Sequence, residues 1–316
     1  MNTEFEYQAT RAFTRPLPSE LISMGENAHH ADEVPVNDEA HRHMALADEL
    51  DDRARKNVHR GCFKAARVLV EQAMELRRAH FGEADPRLVR SFSWLGELSL
   101  HEGKIEEARW LLEQAYQVAC KRFEPKSLYL AATLHNLAVV TRRSGDLARA
   151  SELAEEALGI KVDQLGWEHS SVAVTLCTLA NLARTMGQLR VAIAYYEKAR
   201  GILERTQGGF GAGLASALIG MARVHLEYGS KVSARFLLER AVQICEAVDV
   251  FPAQIAQARL LLSQTIKDED EEAAKGLLRS ACREYAQYEC ARPELLDRMQ
   301  RVLLRYDARL RPQDRN

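Results

Sequence analysis

The sequence predicts an all-α solenoid of paired helices, and three observations carry that expectation. Glycines at Gly61, Gly103, Gly145, Gly187 and Gly229 recur every 42 residues. Small residues move with them: Ala66, Ala108, Ala150, Ala192 and Ala234, then Ala73, Ala115, Ala157, Ala199 and Ala241, and before each turn Ala54, Gly96, Ala138, Ala180 and Ala222. Between these marks the apolar residues keep the i, i+3, i+4 spacing of amphipathic helices. A turn glycine reaches the left-handed conformation that ends one helix and admits the next. Small residues at fixed points let paired helices approach closely. One such pair cannot cover its own apolar faces, so neighbours must stack.

Residues 1–36 stand outside the period. Pro16, Pro18 and Pro35 break helices, and Phe5, Tyr7, Phe13, Leu21 and Ile22 follow no helical spacing. A tail, extended or packed on the solenoid, is expected there. Asn37 suits the N-cap of a first helix that aligns Ala40, Met44, Ala47, Leu50, Ala54 and Val58. Asp85-Pro86 is a second local helix start, an N-cap followed by proline. After the five clear repeats a degenerate sixth follows at 40 residues, with Ala274 and Ala281 in register and Glu269 in the glycine's place. The solenoid is therefore expected over residues 37–290. In residues 291–316, Pro293 opens a last helix with Leu295, Leu296, Met299, Val302, Leu303 and Tyr306 along one side. Such a helix caps a solenoid; the same stripe would also serve a homodimer. Arg311–Asn316 is expected to fray.

The clearest copy reads TLHNLAVVTRRSGDLARASELAEEALGI followed by QLGWEHSSVAVTL. A two-helix repeat with these small positions resembles a tetratricopeptide repeat, and the 42-residue version is similar to the repeats of kinesin light chains and their bacterial relatives. Ala84-Asp85-Pro86 and His169-Ser170-Ser171 stand where that family has a His-Pro loop between repeats. The resemblance spans residues 40–286. It implies a right-handed α-solenoid that binds peptides or proteins.

Composition narrows the function classes. A net charge of −2 lacks the basic excess of a nucleic-acid binder. No apolar run reaches the ~18 residues of a membrane span, and Glu4 and Glu6 with no apolar core argue against a secretory leader. The six cysteines show no CxxC pair and no metal spacing and fall mainly in helical patterns, so a cytoplasmic home is expected. No cofactor is expected. Walker, GxSxG and HExxH sequences are absent, and GGFGAG at Gly208–Gly213 follows a helix rather than a strand, which excludes a dinucleotide loop. His29, His30, His41 and His43 form a metal-like grouping, but His41 and His43 are two residues apart and point to different helix faces. The expectation is a non-catalytic scaffold or adaptor. The alternatives are an accessory subunit presenting a substrate to a catalytic partner, and a self-assembling regulatory protein.

The resemblance also implies which residues bind. In tetratricopeptide repeats the first helix of each pair lines the concave groove, at −13, −10, −9, −6, −3 and −2 from the turn glycine. On that ruler the peptide-binding candidates are Arg90, Trp94, His135, Asn136, Arg142, Arg143, Asn181, Arg184, Arg223 and Arg259, with His101 beside them. The first repeat instead presents Asp48, Asp51 and Asp52. Arginine takes a carboxylate with two donors, and an asparagine amide can hold peptide backbone through both its groups. The expected partner is an acidic or extended protein segment. Thr3-Glu4-Phe5-Glu6-Tyr7 has that character, so the tail could occupy its own groove.

Overall fold

The computed structural model describes residues 38–59, 61–83, 85–207, 209–248, 252–288, 291 and 293–308. Among them the secondary structure is thirteen α-helices and no strand. The fold is an all-α solenoid. The chain divides into two compact units, Met1–Gln188 and Leu189–Asn316. The first holds α1 (Asp38–His59), α2 (Phe63–Phe81), α3 (Leu88–Glu102), α4 (Ile105–Arg122), α5 (Leu128–Arg143), α6 (Leu147–Leu165) and α7 (Ser170–Thr185). The second holds α8 (Leu189–Gln207), α9 (Ala212–Glu227), α10 (Lys231–Ala247), α11 (Pro252–Ile266), α12 (Glu271–Ala286) and α13 (Pro293–Ala308). Asn37, Thr3–Tyr7, His29, His30, Gly208 and Arg311–Asn316 lie outside the described residues, as do positions 36 and 290 of the expected boundaries.

The glycine comb is conformational in origin. All five turn glycines have positive φ, from 75° at Gly187 to 94° at Gly145. Any Cβ there would crowd the backbone. After Gly145 the next helix starts on a side-chain cap, Asp146 accepting from the Arg149 amide at 3.0 Å, and in the degenerate repeat Asp270 accepts from that of Ala273 at 2.8 Å. Ser127 and His169 cap α5 and α7 in the same way. Cys62, Lys104 and Ser230 make no side-chain cap bond. Asp85 sits earlier than expected. Its carboxylate accepts from the Arg87 amide and side chain, both at 2.8 Å, and α3 proper begins at Leu88.

The alanine comb is steric in origin. Every alanine of the three series is fully buried. At the one position held by glycine, Gly96, an added Cβ would stand 2.7 Å from Leu112 Cγ. The second unit has its own close approach, where a Cβ on Gly220 would fall 2.4 Å from Tyr196 Cζ. Helix α13 buries Leu295, Met299, Val302 and Tyr306 in a cluster shared with α11 and α12. Leu296 and Leu303 of the same stripe are partly buried against that cluster. Lys275, also buried, pairs with Glu271 of its own helix at 2.9 Å and ties α12 to α13 through Asp307 at 3.6 Å.

Candidate functional site

In the first unit the expected face is formed by the first helices of successive pairs, α3, α5 and α7. Helix α3 touches α5, and α5 touches α7, directly. Polar side chains on this face therefore shield one another. Trp94, His101, His135, Asn136, Arg142, Asn181 and Arg184 are all buried, and Arg143 is half-buried.

Two candidate arginines are held by the protein's own acids. Arg90 donates to Asp48 at 3.1 Å and to Asp51. Both carboxylates also receive Arg77, at 2.9 Å and 2.7 Å, and Arg77 Nη1 reaches Ser91 at 3.1 Å. Arg77 is fully buried and Asp51 nearly so, so this network joins α1, α2 and α3 internally. Asp51 is not presented to a ligand, although Asp48 and Asp52 are exposed. In the second unit Arg259 pairs with Glu246 at 2.9 Å and with Glu284. Arg223 is buried on α9, and Gln254 ties α11 to α9 through Ser216 at 2.8 Å. Of the amides, Asn181 spends its NH2 on the Cys177 carbonyl of its own helix at 3.0 Å, while Asn136 reaches across to Glu97 Oε1 at 3.4 Å.

Glu97 went unnoticed in sequence, although it stands at −6 on the same ruler. Burial pushes its carboxyl up to about 8, against the opposing pull of the Asn136 hydrogen bond. Burial, and then the Arg143 guanidinium, hold His101 down to about 3. Burial and the Lys161 ammonium likewise keep His135 well below the usual imidazole range. At neutral pH these three groups are mostly uncharged. Among them and the arginines of the face, the arginines alone carry charge. His101 also stacks on Phe63, ring centres 4.4 Å apart, and Arg55 lies 5.9 Å over the Trp94 ring. His43, from the sequence-level histidine grouping, stacks on His80 at 4.1 Å.

Lys161 on α6 was also missed. It is buried and donates to Thr175 Oγ1 at 2.9 Å. It repeats Arg77 with Ser91, since both cations reach a hydroxyl fourteen residues onward. At the junctions between, the same two positions hold Ala119 with Thr133 and Leu203 with Ala217, all buried. At the fifth junction the same two positions hold Cys245 and Arg259, and burial, then Glu246, push the thiol up to about 12 against the opposing pull of Arg259. Over the first four junctions a buried cation thus alternates with a buried alanine or leucine, and at the fifth the position holds a buried thiol. The 42-residue ruler could have found this pattern, had it been applied to the second helix of each pair.

The fold and its repeat interfaces define a helical-repeat solenoid protein. The tetratricopeptide repeat family pattern matches residues 87–161 and 171–247, and these residues are tetratricopeptide repeats. No curated protein matches the chain by sequence. Among solved structures, BtubC (BKLC) from P. vanneervenii is 21% identical, covering 90% of this chain and 96% of its own, with TM-score 0.50. A putative kinesin light chain from Podosopora anserina, with nearly identical TPR-like repeats, is 24% identical over 64% of this chain and 96% of its own, with TM-score 0.50. A Rap protein complexed with Competence and Sporulation Factor is 14% identical, covering 93% of this chain and 81% of its own, with TM-score 0.61. These likenesses are in fold. Tetratricopeptide repeats mediate protein–protein interaction. No helix among the described residues is long and apolar enough to cross a membrane.

Proposed function

We propose that the chain is a non-catalytic adaptor whose α3–α5–α7 face takes an acidic or extended segment of a partner protein. The observation that carries this reading is electrostatic. Glu97, His101 and His135 are held near neutrality by burial, so arginine dominates the fixed charge of a face that also offers Trp94 and Asn136. A guanidinium keeps its charge under desolvation where a histidine does not, and buried aromatic and arginine groups are the usual energetic centres of protein interfaces. The Rap neighbour, solved with Competence and Sporulation Factor, supports the capacity of such a fold to hold a ligand. Cytoplasmic partners are the expected ones.

The test is affinity capture from the native host with wild type and the Arg142→Ala/Arg184→Ala double variant, circular dichroism confirming the fold of both. The expected result is at least one partner captured by wild type and lost from the variant. Full retention of every partner would move the binding face elsewhere.

A further inference from the structure

The first and third repeats carry the same buried cation with different surroundings. In the first, Arg77 donates to Ser91 and is neutralised by Asp48 and Asp51, with Arg90 closing the network from the next repeat. In the third, Lys161 keeps the cation and Thr175 the hydroxyl. The positions of Asp48 and Asp51 are taken by Ala132 and His135, and that of Arg90 by Val174. Among the described residues no carboxylate pairs with Lys161, and burial is what acts on its ammonium. His135 leaves Nδ1 without a hydrogen-bond partner although the residue is buried. Ala132 and Val174 are both half-buried. The volume filled by an acid and an arginine in the first repeat is therefore reduced to a methyl and an isopropyl group in the third.

We propose that the place bounded by Lys161, His135, Thr175, Ala132 and Val174 receives a carboxylate carried by a partner. It would stand where the Asp48 carboxylate stands in the first repeat, over Ala132, accepting from Lys161 Nζ and from an Nδ1–H of His135. An acidic side chain and a free C-terminus present the same group. The inference rests on the α3–α5–α7 face being the docking face, and names the contact that would select an acidic segment there. A buried ion costs free energy until it is paired. Lys161 accordingly sits at about 7, lowered by burial. Of the two helices packed on α6, α5 presents His135 to it and α7 the Thr175 hydroxyl. An arriving carboxylate restores the charged form, so binding near pH 8 should take up a proton.

Fluorescein-labelled hexaglutamate, with a free and with an amidated C-terminus, is the probe, read by anisotropy on the full chain. The expected result is binding by wild type, weakened about ten-fold or more in Lys161→Met and largely kept in Lys161→Arg, with no fall in Tm for Lys161→Met. Calorimetry at pH 8 in buffers of different ionisation enthalpy should show proton uptake for wild type and none for Lys161→Met. Loss on amidation assigns the carboxylate to the C-terminus; no loss assigns it to a side chain. Failure of wild type to bind hexaglutamate, or unchanged binding by Lys161→Met, overturns the proposal. If Lys161→Met binds unchanged while Arg142→Ala/Arg184→Ala weakens, the docking face stands and this site does not. If neither variant weakens binding, both readings fail.

Discussion

Gly220 lies against the ring of Tyr196 so closely that a Cβ would stand 2.4 Å from both its Cζ and its Oη. Tyr196 is fully buried, so the ring has no free space to yield. Gly220→Ala should therefore destabilise the protein by about 1–3 kcal/mol through overpacking. Adding Tyr196→Leu, which withdraws the ring's far end, should recover part of the loss. Denaturant melts of the two single variants and the double variant check this. An additive double variant would remove the contact from the explanation.

Two exposed glycines with open space around them should respond in opposite senses. Gly145 has φ of 94° and nothing within 4 Å of an added Cβ, so Gly145→Ala meets backbone strain alone and should cost about 1–2 kcal/mol. Gly159 lies inside α6, also with nothing within 4 Å, and Gly159→Ala should gain about 0.5–1 kcal/mol. Thermal melts of both variants give the signs directly.

The Arg77 network should behave as a buried ion pair. Arg77→Met leaves the buried Asp51 with Arg90 as its remaining partner and should cost about 1–3 kcal/mol. Combining it with Asp51→Leu should restore much of that stability, because the desolvation penalty disappears with the second charge. A double-mutant cycle measures the coupling.

Glu97 and Lys161 should impose opposite slopes on the pH dependence of stability. Glu97 in the fold is raised to about 8 from an ordinary 4.5. Its contribution is complete below 4.5 and is lost as pH climbs through 8, because the unfolded chain ionises first. Relative to Glu97→Gln, wild type should lose stability over that window. Lys161 in the fold is lowered to about 7 from 10.5. The unfolded chain binds the proton more readily between those values, so relative to Lys161→Met wild type should gain stability as pH rises from 7 to 10.5. At pH 7 Lys161→Met should be the more stable protein. Urea titrations across pH 4–11 test both slopes.

The parts of the fold that could be read in sequence are those where backbone or volume admits few residue types. Gly103 and Gly145 are glycine because φ is positive there, and Ala108 and Ala150 are alanine because no side-chain volume remains. The site was less legible because one-dimensional spacing shows position without partner. Arg90 and Arg259 stand at groove positions of the ruler and are occupied by Asp51 and by Glu246 with Glu284. Asp51 looked presented and is buried. Glu97 counts as a charge in the sequence, whereas burial leaves it mostly protonated at neutral pH. Lys161 sits on the second helix of its pair, the helix that a search for groove residues passes over.

The alternation of junction chemistry bears on how such an array could be lengthened. An inserted single repeat would set a face made for a buried cation against one made for alanine or leucine, leaving a lysine or arginine in an apolar seam. An inserted pair, 84 residues long, would preserve the order of Arg77, Ala119, Lys161 and Leu203. For an engineer extending this protein, the modular brick is two repeats rather than one.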